Sequence, residues 1–172
     1  MTRMGIGYDV HAVVPGRRLM LGCVHFADAK VGLQGHSDAD VVSHAVCDAL
    51  LGAAALGDIG EHFPDSDATW KDASGGTFLA HVAGLVREHG YQIVNIDCTV
   101  LADVVRLGER KHEMAAEMAR HLGLETGQVS VKATTFEGKG TIGRGEAIAC
   151  EAIAVLEKAG EDRMGEWRES AL

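Results

Sequence analysis

Asp9 and His11 stand two residues apart in the run "GIGYDVHAVV", residues 5–14. In a strand, period-two geometry points both side chains to one face, a carboxylate beside an imidazole. Taken alone, the pair is either two ligands of a divalent metal or a charge pair at a strand end, and a third group is needed to decide. The segment "GHSDADVVSHAVCDALLGAAALGDIGEHFPDSD", residues 35–67, is dense in His and Asp. His36 precedes a helical pattern and His44 falls inside it. Asp48, four residues after His44, is placed to take its second ring N–H and fix the tautomer. Asp9, His11 and His44 then give one carboxylate and two imidazoles with a fourth position open. That set suits a catalytic Zn²⁺ or another divalent transition metal. A packed, hydrogen-bonded core histidine is the competing reading of His44, and the metal reading is the stronger.

Two further segments could do chemistry. "GDIGEHFPDSD", residues 57–67, sets Asp58, Glu61, Asp65 and Asp67 among glycines and a proline. It reads equally as a binder of sugar hydroxyls and as a solvated acidic loop. "VKATTFEGKGTIGRGE", residues 131–146, holds a formal G-x-G-x-x-G at Gly138, Gly140 and Gly143. A dinucleotide fingerprint is rejected there, because no amphipathic helix follows and too little chain remains. Thr134 and Thr135 serve better as hydroxyl donors, Glu137 as a ligand for a hard cation and Arg144 as an anion contact. Mg²⁺ or Mn²⁺ with phosphate oxygens fits such a set; a glycine-rich hairpin without ligand is the alternative.

The elements that must position these groups follow from periodicity. Strands are expected over 3–11, 18–26, 93–102, 129–136 and 146–157, the last chosen over a short buried helix. Helices are expected over 38–56, 75–89 and 109–122, with Ser37 and Asp40 as a capping pair and Gly123 as a stop. In the fifth element Val94, Ile96, Cys98 and Val100 should face one way and Asn95, Asp97 and Thr99 the other. This order, without regular βα alternation, predicts an α+β fold: a small mixed β-sheet with helices packed on one face. The strand at 146–157 has little polar face, so a second subunit is a candidate to cover it. A single domain over 1–158 is expected, then a polar tail, 159–172, that could be disordered.

Composition narrows the class. The chain is 47% hydrophobic with 5% aromatic residues, which implies an aliphatic core. A net charge of −9 argues against nucleic-acid and anionic-membrane partners, and makes local cations necessary if phosphates are handled. Cys23, Cys47, Cys98 and Cys150 are scattered, with no CxxC, and read as reduced, buried thiols. No signal peptide and no membrane-length apolar run is found, so a soluble, cytoplasmic protein is expected.

Taken together, "GIGYDVH", the block 35–67, "VKATT" with Glu137, and "GRGEAIACEA" resemble the 2-C-methyl-D-erythritol 2,4-cyclodiphosphate synthase family over roughly residues 3–156. The resemblance implies a homotrimer, with sheets packed around a threefold axis and active sites between subunits. It implies a lyase of the non-mevalonate isoprenoid pathway. The substrate would be 4-diphosphocytidyl-2-C-methyl-D-erythritol 2-phosphate: its 2-phosphate attacks the β-phosphate and CMP leaves. By the same resemblance Asp9, His11 and His44 hold zinc, with Asp48 behind, and Glu137 holds magnesium. His36 and Thr135 stabilise the transition state. Ser37, Asp58, Ile59, Gly60, Phe63, Pro64, Asp65, Ser66 and Asp67 contact the erythritol and phosphates, with Thr134 and Arg144. Tyr8, Arg144 and Glu151 lie near the trimer axis.

The chain departs from the family in two places. "ADVVRLGERK" stands where an alanine-glutamine-x-proline-lysine loop cradles cytosine, so Ala102, Val105, Arg106 and Leu107 are the nucleotide-binding positions, with arginine replacing lysine. After the threonines, Gly138 follows Glu137, and Thr141 stands where an aromatic is expected. The altered loop keeps open a zinc-dependent phosphohydrolase of nucleotide diphosphates. A non-catalytic, metal-stabilised trimer is the third reading.

Overall fold

The computed structural model describes residues 1–64 and 66–160. Asp65 and residues 161–172, and with them the expected contact at Asp65 and most of the expected tail, lie outside the described residues. The strands are β1 (Thr2–Pro15), β2 (Met20–Leu21), β3 (Val24–His25), β4 (Val31–Leu33), β5 (Tyr91–Leu101), β6 (Val129–Thr134) and β7 (Ala147–Lys158). The helices are α1 (Val41–Ala54), α2 (Ile59–His62), α3 (Gly75–Glu88), α4 (Arg110–Leu122) and α5 (Gly140–Gly143). Five strands form one sheet in the order β4-β1-β7-β5-β6, antiparallel except for the parallel β5–β6 pair. The expected mixed sheet is present, and α1, α3 and α4 pack on one of its faces.

α1 is apolar almost all round, as a helix wedged between a sheet and other helices must be. Val41, Val42, Ala45, Val46, Ala49, Leu50 and Leu51 have no exposed surface. On the sheet side they meet the even positions of β7, Ile148, Cys150, Ala152, Ala154 and Leu156, and Ile96, Cys98 and Val100 of β5, all fully buried or nearly so. The opposite face of the sheet is open and mixed: an apolar patch on β1 and β7 lies beside Glu151 of β7, Asp97 and Thr99 of β5 and Lys132 of β6. Met4, Ile6, Tyr8 and Val10 of β1 and Ile153 of β7 are its exposed large apolar side chains.

Four local expectations are corrected. Residues 18–26 are not one strand but a hairpin, β2–β3, turned at Gly22 and Cys23, both with positive φ. That turn matches the twist of the paired strands, and the buried Asp40 carboxylate fastens it by accepting from Gly22 N (2.8 Å) and Cys23 N (2.6 Å). α1 begins at Val41 rather than residue 38. Asp40 is its N-cap, accepting from Val42 N and Ser43 N, and the Ser37–Asp40 pairing does not form the cap. In β5 the register shifts between Ile93 and Asn95, so Ile93, not Val94, joins the buried face. The acidic stretch from residue 57 is not all loop, since it contains the one-turn helix α2.

Candidate metal centre and flanking pocket

The helix-facing positions of β1 run Gly5, Gly7, Asp9, His11. The first two fix how close α1 can lie. A Cβ on Gly7 would sit 1.9 Å from the Ala45 carbonyl oxygen, and one on Gly5 2.1 Å from that of Ala49. Two strand residues advance roughly 6.6 Å and four helix residues roughly 6 Å, so the glycines and the alanines stay in step. One step further, Asp9 and His11 meet the first turn of α1, and there His44 projects.

The three side chains converge. Asp9 Oδ2 lies 2.9 Å from His11 Nε2 and 3.0 Å from His44 Nδ1, and the two ring nitrogens are 3.2 Å apart. Each group is aimed from behind. The Val10 N–H donates to Asp9 Oδ1 at 2.8 Å, which leaves Oδ2 for the site. His11 Nδ1–H donates to the Gln34 carbonyl at 2.5 Å, which leaves the Nε2 lone pair facing inward. His44 Nε2 meets the Ser37 hydroxyl at 3.3 Å. The expected orienter, Asp48, does something else: its Oδ1 accepts from Ile59 N–H at 2.8 Å, at the start of α2. Burial opposes charge on Asp9, but the bonds to His11 and His44 outweigh it and hold the carboxyl well below the usual range. Burial likewise opposes charge on His11, and the Asp9 carboxylate and the Gln34 carbonyl outweigh it, so its pKa is raised. One carboxylate oxygen and two imidazole nitrogens within 4.8 Å of one another fit a divalent ion that prefers nitrogen and oxygen ligands.

A pocket of about 440 Å³ opens on this triad. Of the expected contacts, His36, Ser37, Ile59, Gly60, Phe63 and Pro64 line it. Trp70 and Phe78 also line it and were not anticipated, although aromatic residues are few in this chain. They pack on Phe63 at ring distances of 4.8 and 4.6 Å, Trp70 edge to face and Phe78 tilted. His36 Nε2 is buried without a hydrogen-bond partner. Its backbone is gripped from outside by Arg17, which donates to the carbonyls on either side, Gly35 O (2.7 Å) and Ser37 O (2.8 Å). Asp58 and Asp67 serve as local caps: Asp58 accepts from Glu61 N and Asp67 from Thr69 N. Ser66 is exposed.

The remaining expected residues form a second group. Ala102, Val105, Arg106, Leu107, Thr134 and Thr135 line a pocket of about 340 Å³ at the ends of β5 and β6. The Thr135 hydroxyl donates to Glu137 Oε1 at 2.6 Å. Both groups sit at one end of the sheet, because His11 pairs with Ile148 and Leu101 pairs with both Ala149 and Thr134. Three strand spacings, roughly 14 Å, separate β1 from β6. Arg144 lines neither pocket and is paired with Glu146 through two bonds of 2.8 and 3.0 Å. Tyr8 and Glu151 face each other across β1 and β7 on the open side of the sheet, both exposed.

Comparison with known proteins gives a consistent picture. Residues 2–157 match the model of the YgbB family. A 2-C-methyl-D-erythritol 2,4-cyclodiphosphate synthase of Desulfosudis oleivorans is 53% identical over 165 residues, 95% of this chain and 98% of that protein. Among solved structures, the bifunctional IspDF of Campylobacter jejuni superposes with a TM-score of 0.88 at 40% identity, over 92% of this chain and 42% of that one. An IspF of Plasmodium falciparum in complex with CDP superposes with a TM-score of 0.81 at 31% identity, over 92% of this chain and 97% of that one.

Proposed function

The chain belongs to the YgbB family, and from that premise we propose that it is a phosphorus–oxygen lyase making 2-C-methyl-D-erythritol 2,4-cyclodiphosphate. In this reading it closes 4-diphosphocytidyl-2-C-methyl-D-erythritol 2-phosphate on itself, with CMP as the leaving group. The nucleophile is the substrate's own 2-phosphate, so no covalent intermediate with the protein is needed. Attack of one phosphate on another sets anion against anion, and positioning with charge neutralisation carries the reaction. Asp9, His11 and His44 would hold zinc or a similar transition metal and Glu137 would hold Mg²⁺ or Mn²⁺, which together supply positive charge at the diphosphate.

The chain's own residues do the rest. Gln34 and Ser37 keep the two imidazoles turned toward the phosphate site. The unpartnered His36 Nε2 donates to a phosphate oxygen, and the Thr135 hydroxyl, released from Glu137 when that carboxylate takes up the cation, does the same from the other side. Ile59, Gly60, Phe63 and Pro64 wall the sugar from water. Ala102, Val105, Arg106 and Leu107 hold the cytidine, Arg106 supplying a charge toward its phosphates. The two half-sites lie roughly 14 Å apart along one sheet, and the open sheet face carries an exposed apolar patch on β1 and β7. Both features support a homotrimer in which each site joins the metal pocket of one subunit to the 102–107 and 134–137 segments of its neighbour. Four free cysteines support a reducing, cytoplasmic location.

The convergence of Asp9, His11 and His44 on one point, in a pocket that His36 also lines, carries the proposal. Metal-loaded protein given the cytidyl substrate and Mg²⁺ is expected to release CMP and the cyclic diphosphate. A linear product containing solvent oxygen would identify a phosphohydrolase instead, and zinc-bound trimer without turnover would identify a non-catalytic binder. His44→Ala is expected to abolish turnover and bound metal while the assembly survives, and collapse of the fold would assign the metal a structural role.

A further inference from the structure

Asp103 stands in the bend after β5, at the place where glutamine is expected. Its two carboxylate oxygens accept from the backbone N–H groups on either side of Glu137, Phe136 N at 2.7 Å and Gly138 N at 3.3 Å. Glu137 itself is in the left-handed region, with φ 51°. That conformation is unfavourable for a residue with a side chain, so the turn needs holding from outside. On its other flank the chain from Ala102 to Leu107 lines the second pocket with Thr134 and Thr135. One carboxylate therefore fastens the 102–107 loop to the turn that presents Glu137.

We propose that Asp103 is a positioning residue for Glu137: it fixes the left-handed turn from which Glu137 reaches the hard cation and ties that turn to the nucleotide loop. The proposal rests on the reading of Glu137 as the hard-cation ligand. It also explains the departure in this loop. A carboxylate has two acceptor oxygens for two N–H donors, whereas an amide has one and would set its NH₂ against the other N–H.

The test uses the full chain preloaded with Zn²⁺, so that added Mn²⁺ with CDP reports the second metal position by electron paramagnetic resonance. Asp103→Ala and Asp103→Asn are expected to weaken Mn²⁺ retention roughly 10- to 100-fold. The Mg²⁺ concentration for half-maximal turnover should rise in parallel, and turnover at saturating Mg²⁺ should recover. Placed on Glu137→Gln, Asp103→Ala should cost nothing further in Mn²⁺ binding. The Asn variant, nearly the same size, carries the test if the Ala variant folds poorly. Unchanged Mn²⁺ binding in Glu137→Gln would remove the underlying reading. A weakened Glu137→Gln beside wild-type-like Asp103 variants would overturn the positioning role alone, as would equal losses from Asp103→Ala in both backgrounds.

Discussion

His11 titrates in a setting that ties metal uptake to pH. Its pKa is raised above the ordinary 6.5, against its own burial, by the Asp9 carboxylate. In the metal-free chain the protonated pair is stabilising below pH 6.5, and that contribution is lost as pH rises through the raised value. A divalent ion must displace this proton. Calorimetric titration in buffers of differing ionisation enthalpy should show proton release on metal binding that grows as the pH is lowered from alkaline toward 6.5 and fades in alkaline buffer. Asp9, already ionised there, adds none, and release no greater than that of an ordinary imidazole across this range would contradict the raised value. The cysteines give a second expectation. Burial, with Asp40 nearby, pushes Cys23 up to about 12, and burial also raises Cys47. A thiol reagent at pH 8 should find no fast-reacting cysteine in the native chain and all four after denaturation. At this scale the sequence revealed ligand types but not their supports. Spacing on the helix nominated Asp48 for His44, yet the ring's direction is dictated by β1, and that direction leads to Ser37. Asp103 looked like a lost glutamine because its partners lie 33 and 35 residues further on.

The contact between β1 and α1 sets the metal centre, and two glycines set that contact. Gly7→Ala would drive a methyl group into the backbone of α1, with Ala45 O at 1.9 Å and Ala49 N at 2.6 Å. The helix has to move, at roughly 3 kcal/mol or more, and His44 moves with it. Urea denaturation should register the loss, and zinc affinity should fall. Gly84→Ala in α3, with nothing within 4 Å of the added carbon, is the control. It should leave zinc affinity unchanged and stabilise by about 0.5–1 kcal/mol. The long amphipathic helices were legible, because α3 and α4 declare themselves through their own side chains, whereas the nearly all-apolar β7 left a short buried helix open until its pairing with β1 and β5 was seen. The hairpin at residues 20–25 was not legible. Its apolar run reads as one strand, and the turn at Cys23 depends on a carboxylate that arrives from Asp40. The bulge in β5 escaped for a similar reason, since period-two counting has no term for an extra residue.

For the whole molecule the open face of the sheet is the decisive surface. Ile6 and Ile153 are direct cross-strand partners, both exposed, with Met4, Tyr8 and Val10 along the same strand. An exposed apolar patch of this kind supports the proposed assembly surface. Ile153→Glu should dissociate the proposed trimer in sedimentation analysis. The monomer should keep zinc at Asp9, His11 and His44 but lose turnover, because each site would lack its second half. A monomeric variant with full activity would refute the shared site. The apolar stretch of β7 had called for cover on both sides, although sequence alone could not say from how many copies.

β1 also carries two interleaved texts. Its odd letters, from Gly5 to His11, address the helix and the candidate metal centre, and its even letters, from Met4 to Val10, address the open face. They share one reading frame of two. Outside the two glycines each letter can be substituted separately, but neither text can change phase alone. Removing a single residue between Gly5 and Tyr8 would turn the ligands outward and the greasy letters inward at a stroke. Point changes can therefore alter the pocket face and the open face of this strand independently, whereas its spacing is open to neither.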